Sequence, residues 1–284
     1  MGSRSNDAAS STAAQVSDAV GLVATPLSSE LVHPNAHLRA GAMFVKVFSG
    51  RREYFEAEVA VAAARPTDLR TPRLVSSGSL ADGRPWTGYE WVELQPAAVN
   101  PVLAEDAGRQ LGLLHAQSRR VPGLRERSPD LAPAVETLCG RIATFDAPLA
   151  ERIQRLAEAV SSTLLKEPTR AVLLHGDWGW RNALRGPDGA IWLIDFEHAR
   201  WGHPFLDFAK PWDRELAEPT IREAFMNGYS QTTEGSVPST ASMGMVRLWA
   251  AAGIFPYARR LGDVAFAAHG RDILDRLEAD LLLR

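Results

Sequence analysis

The stretch of residues 182–195, NALRGPDGAIWLID, leaves few ways to fold. Two short apolar runs flank GPDG, in which Pro187 and Asp188 suit the central positions of a type I turn and Gly189 the positive φ that follows. The segment reads as a β-hairpin that begins at Asn182 and ends at Asp195. With a strand rise of roughly 3.3 Å per residue, antiparallel pairing brings those two residues within about 10 Å of each other at the open end. The pattern leaves open whether they share a face, because one residue of turn register reverses it. Just upstream, HGDWGWRN places Asp177 in the loop before Asn182. Three oxygen-bearing side chains therefore converge with no metal-binding cysteine or histidine pair beside them. Carboxylate and amide oxygens suit Mg²⁺, an ion held by one or two protein ligands together with substrate phosphates. The chemistry indicated is phosphoryl transfer.

The surrounding chain has room for such a site. Its 284 residues suffice for two lobes of ordinary size. GLVATPLSS and AHLRAGAMFVKVF read as strands, the latter two joined at Gly41, and RLVSSGSLADGRPWTGYEWVEL reads as two more around a turn at Asp82 and Gly83. Between these, Phe55, Val59 and Ala62 recur at helical spacing. After a proline-containing stretch at 94–101, the pattern turns helical. Ala104, Ala107, Leu111 and Leu114 form one stripe; Leu149, Ile153, Leu156, Val160 and Leu164 form a second.

Net charge and cysteine usage narrow the partners. A charge of −3 and a pI near 6.2 provide no footprint for nucleic acid or an anionic membrane. Cys139 is the only cysteine, so no internal disulfide can form, and a reducing cytoplasm fits. No apolar run reaches membrane-spanning length. The first twenty residues are small and polar, lack the apolar core of a secretory signal, and read as a loose tail. The expectation is a soluble cytoplasmic monomer or dimer.

HGDWGWRN, followed by LIDFEHA and then GHPFLDFA, resembles the signature run of the aminoglycoside phosphotransferase and fructosamine kinase group, small-molecule relatives of protein kinases. MFVKVF and FEAEVAV resemble the start of fructosamine kinases. The resemblance implies an α+β, two-lobed kinase-like fold, with a small β-rich N-lobe at 21–94 that binds nucleotide and a larger, mainly helical C-lobe at 95–284. It also implies transfer of the γ-phosphoryl of ATP or GTP, with Mg²⁺, to a hydroxyl of a polar acceptor such as an antibiotic, a ketosamine or a sugar-like metabolite. A protein kinase is disfavoured because the HRD, DFG and APE segments are missing. An HD-type phosphohydrolase is disfavoured by the lack of an adjacent His-Asp pair. A non-catalytic nucleotide-binding scaffold is the alternative from another class.

Carried over by the same resemblance, Asp177 orients the acceptor hydroxyl and takes its proton, His175 braces the loop, and Asn182 and Asp195 hold the metal. Lys46 becomes the phosphate-binding lysine. An ammonium inside an apolar strand needs a charged partner. Helical angle and the EAEV pattern favour Glu56, with Glu58 in reserve. Backbone groups of Glu90, Trp91 and Val92 are expected to meet the base, and Ser28 and Ser29 the phosphates, since no GxGxxG precedes Lys46. Trp178 and Arg181 are candidates for the acceptor pocket. Glu197, Asp213 and Glu215 lie where cationic acceptors bind in that group. Asp207 and His115 are expected to be structural.

Overall fold

The computed structural model describes residues 2–27, 35–117, 120–127, 130–161, 171–233, 237–240 and 242–282. The chain opens with helix α1, Gly2–Val20, where a loose tail was expected. The helix lies on a sheet, and Ala13 and Val16 are buried there. Ser17 pins it, donating to Ala13 O at 2.8 Å and accepting from Ala24 N at 2.9 Å.

Strands β1 (Ala24–Pro26), β2 (Ala36–Ala40) and β3 (Met43–Val47) follow, then helix α2 (Arg52–Ala64) and strands β4 (Leu74–Ser79) and β5 (Pro85–Glu90). They form one antiparallel sheet in the order β1-β2-β3-β5-β4. Both expected turns are present: Gly41 and Gly83 take positive φ between paired strands. Alternation along β3 sends Val45 and Val47 into the core beneath α1, and Lys46 to the opposite face.

The remainder is mainly helical. Helices α3 (Pro101–His115), α4 (Ala132–Ala143) and α5 (Ala147–Ser161) precede the short strands β6 (Val172–Leu174), β7 (Ala183–Arg185), β8 (Ile191–Leu193) and β9 (Arg200–Gly202). Helices α6 (Pro219–Ser230), α7 (Gly244–Leu261) and α8 (Val264–Leu282) close the chain. Asn100 caps α3 through Leu103 N at 3.0 Å, and the expected stripe of Ala104, Ala107, Leu111 and Leu114 is fully buried. The second stripe also faces the core from Leu149 to Val160; Leu164 lies outside the described residues. Helices α3 and α6 cross at backbone contact, since a Cβ on Gly108 would sit 2.0 Å from Phe225 O and one on Gly228 would sit 1.8 Å from Glu105 O. Strands β7 and β8 form the anticipated hairpin, with Gly189 at φ 78°. No helix of the described residues is long and apolar enough to cross a membrane.

Candidate active site

The site forms where β3 and α2 meet the loops after β6 and β8. Lys46 Nζ lies 2.5 Å from Glu58 Oε1, 2.6 Å from Asp195 Oδ1 and 2.9 Å from Glu197 Oε2. Tyr89 Oη donates to the second Glu58 oxygen at 2.7 Å. Burial pushes the Glu58 carboxyl up to about 7, against the pull of Lys46. Burial also works against the Lys46 ammonium, but Glu58, Asp195 and Glu197 together raise its pKa. The lysine therefore stays charged.

On the other side, Gly176 turns the chain out of β6 at φ 80°, where a Cβ would lie 2.0 Å from His198 O. No other residue fits that turn. Asp207 holds it from behind: Oδ2 accepts from His175 N and Oδ1 from Gly176 N, each at 2.7 Å. Oδ2 also meets His115 Nε2 at 3.0 Å, and His115 Nδ1 meets Tyr229 Oη at 2.8 Å. Because a carbonyl only accepts, His175 Nε2 donates to Ile194 O at 3.0 Å, tying this loop to the residue before Asp195. Asn182 Nδ2 donates to Asp177 O at 2.9 Å, and Ile194 N donates to Asn182 O at 3.0 Å. The carboxamide is thus fixed by its nitrogen, and its oxygen remains as a donor atom.

Asp195 takes φ 68°, the only non-glycine positive φ among the described residues. Such strain persists where surrounding bonds hold it, and it re-aims the side chain out of the strand. Burial acts to raise its carboxyl, yet Lys46 and further contacts keep it below the ordinary value. Asp177 behaves alike: burial opposes its charge, but Lys210, 2.6 Å from Oδ1, and Arg181, hydrogen-bonded to Oδ2, hold it low. Both carboxylates are ionised at neutral pH. An amide oxygen and an ionised, partly exposed carboxylate are hard donors of the kind Mg²⁺ takes, so Asn182 and Asp195 fit that ion.

The profile of the phosphotransferase enzyme family matches residues 23–239. The chain belongs to this family. Among solved structures, the GDP complex of aminoglycoside 2'-phosphotransferase-IIIa superposes with TM-score 0.69 at 14% identity, covering 96% of this chain and 99% of that one. A choline/ethanolamine kinase family protein from Mesorhizobium loti superposes with TM-score 0.68 at 18% identity, covering 96% and 94%. Spectinomycin phosphotransferase with ADP and spectinomycin gives TM-score 0.60 at 12% identity, covering 90% and 86%. No curated protein sequence matches the chain. The fold of this phosphotransferase family member is therefore two-lobed and kinase-like, with a small β-rich N-lobe and a larger helical C-lobe, as the motifs implied.

Several expected residues sit elsewhere than the sequence suggested. Glu56 is exposed and bonds Arg52 at 3.1 Å; the partner of Lys46 is Glu58. The reason is the face of α2, whose buried residues are Ala57, Glu58 and Val61 rather than the stripe of Phe55, Val59 and Ala62. Asp213 is buried against Arg247, with oxygens 2.8 and 2.9 Å from the guanidinium. Glu197 is drawn to Lys46 and to Asn35 Nδ2, 2.8 Å away. Glu215 Oε1 takes Arg214 at 3.1 Å. Trp178, by contrast, does line the pocket beside Asp177, although it is buried and packed edge-on against Phe225 at 4.8 Å. Glu90 N and Trp91 N are spent on Arg73 O and Ala42 O, which leaves Val92 as the amide beyond the strand. Ser28 and Ser29 lie outside the described residues. Lys210 was not anticipated as a partner of Asp177; its place three residues after Asp207 in LDFAK was the available signal.

Proposed function

We propose that the protein transfers the γ-phosphoryl group of ATP or GTP to a hydroxyl of a small polar acceptor, an antibiotic or a sugar-like metabolite. The observation that carries this reading is the 2.6 Å contact of Lys46 with Asp195, which joins the N-lobe cation to the acid that follows the hairpin. Family membership supports it, as do relatives captured with GDP and with ADP.

Lys46, fastened by Glu58, binds nucleotide phosphate oxygens. Asn182 and Asp195 hold Mg²⁺, which supplies neutralising charge along the phosphates when bound. Asp177, kept ionised by Lys210 and Arg181, accepts the hydrogen bond of the attacking hydroxyl, aims its oxygen in line and receives the proton. Lys210 and Arg181 also set positive charge beside the transferred group, where charge accumulates in the transition state. His175 and Asp207 keep this loop in register.

Replacing Asp195 by Ala is expected to abolish metal-dependent nucleotide turnover while leaving the fold intact by circular dichroism. Unchanged turnover would defeat the reading, and a scaffold that only binds nucleotide would show no turnover in either form.

A further inference from the structure

Beside Asp177 lies a pocket of about 230 Å³ whose wall is basic. Arg200, on β9, stands opposite Leu174 in the β6–β9 ladder, and its Nη2 reaches Gly176 O at 3.4 Å. Arg127 is stitched alongside: Arg127 N donates to Trp201 O, and Trp201 N donates to Arg125 O, each at 2.8 Å. The Arg127 guanidinium lies 4.3 Å from the centre of the Trp249 ring. Lys210 completes the wall.

The anions of this pocket are already engaged. Asp177 serves Lys210 and Arg181, and Asp207 serves His115 and two backbone amides. Among the described residues, no carboxylate lies in ion-pair range of Arg127 or Arg200. The charge that Arg127 does feel is the like charge of Arg200, which adds to burial in lowering its pKa. His198, also in the wall, is held below its ordinary value by burial and adds a neutral ring. Two adjacent guanidiniums without a counter-charge are costly, and their planar forks match a carboxylate or a phosphate.

We propose that the acceptor carries its own anion, a carboxylate or phosphate, which Arg127 and Arg200 grip while its hydroxyl lies at Asp177. This rests on the phosphotransferase reading and specifies its substrate class. It departs from the expectation of a cationic acceptor, since Glu197 and Asp213 are spent on Lys46 and Arg247 and Glu215 Oε1 takes Arg214. A small hydroxy acid or sugar phosphate suits the volume, which is below the roughly 300–1,000 Å³ of pockets for drug-sized ligands.

Trp178 and Trp249 line the pocket, so intrinsic fluorescence reports its occupancy. The full-length protein is titrated with inorganic phosphate, D-glycerate, glycerol 3-phosphate and the polycation kanamycin. Saturable binding of at least one anion is expected, weakened tenfold or more in both Arg127→Ala and Arg200→Ala, less in Arg200→Lys, and not competed by kanamycin. Whether D-glycerate or glycerol 3-phosphate binds the tighter identifies the anion as carboxylate or phosphate. Near-UV circular dichroism checks that each variant is folded. The proposal is overturned if no anion binds, if both arginine variants bind as the parent does, or if kanamycin binds more tightly than every anion. Binding of Mg-ADP, measured separately on the same protein, tests the phosphotransferase reading by itself. Anion binding that follows the arginines without any nucleotide binding would sink that reading and leave the pocket standing.

Discussion

Asp207 Oδ2 accepts the amide hydrogen of His175 at 2.7 Å, so a buried carboxylate sets the path of the loop that carries Asp177. The same carboxylate takes Gly176 N and His115. Asp207→Asn keeps the shape but removes the charge and one acceptor position. The expected result is a loss of about 2 kcal/mol in denaturant unfolding, the scale for losing hydrogen bonds to a charged group. A loss below about 0.5 kcal/mol, the range of neutral surface changes, would contradict the bracing role.

Glu58 and Glu56 are two residues apart and have opposite surroundings. Glu58→Ala leaves Lys46 buried with weaker compensation, so nucleotide turnover should fall by about a hundredfold or more. Glu56→Ala removes only an exposed pair with Arg52, worth about 0.3–0.5 kcal/mol, and turnover should stay near that of the parent. Steady-state kinetics on the two variants decide which glutamate anchors the lysine.

His203 caps the turn at Pro204–Phe208, accepting from Phe205 N at 3.2 Å, and burial followed by the nearby His115 lowers its pKa to about 4. Its folded value lies below the ordinary 6.5, so its contribution to stability is present above that pH and is lost as pH falls through about 4. Thermal melts between pH 7.5 and 4 should show this loss. His203→Asn, which can still cap but does not titrate, should flatten the slope between pH 6.5 and 4. An equal slope in the variant would assign the acid sensitivity elsewhere.

Chelation of divalent ions should stop turnover without melting the nucleotide-free protein. Lys46 already bridges Glu58, Asp195 and Glu197 and offsets part of their charge, so this acidic cluster does not depend on a metal alone to stay together. A large drop in melting temperature on adding EDTA alone would show that the ion is structural.

Gly108→Ala drives a methyl group toward Phe225 O, 2.0 Å from the ideal Cβ. Backbone cannot yield as a side chain does, so α3 and α6 must separate, at an expected cost of about 3 kcal/mol in chemical unfolding. Gly253→Ala, on α7 where a Cβ meets nothing within 4 Å, is the control expected to be neutral or slightly stabilising.

Local pattern alone determined the elements that depend on few neighbours. The hairpin from Asn182 to Asp195 follows from GPDG and its flanking apolar runs, and the α3 stripe from its spacing, because turn chemistry and periodicity act within a few residues. The order of HGD, the asparagine and the following acid carried the family and the two-lobed fold. Long-range packing decided the rest. Helix α1 is a helix because a sheet lies beneath it, which small polar residues do not announce. Glu58 replaced Glu56 because the buried face of α2 was set by Lys46 and Tyr89, residues 12 and 31 positions away. Asp213 was claimed by Arg247, and Arg127 met Arg200 only through the chain stitched along Trp201. Charge partners are chosen in three dimensions, where a short distance in a low-dielectric interior outweighs any spacing along the chain.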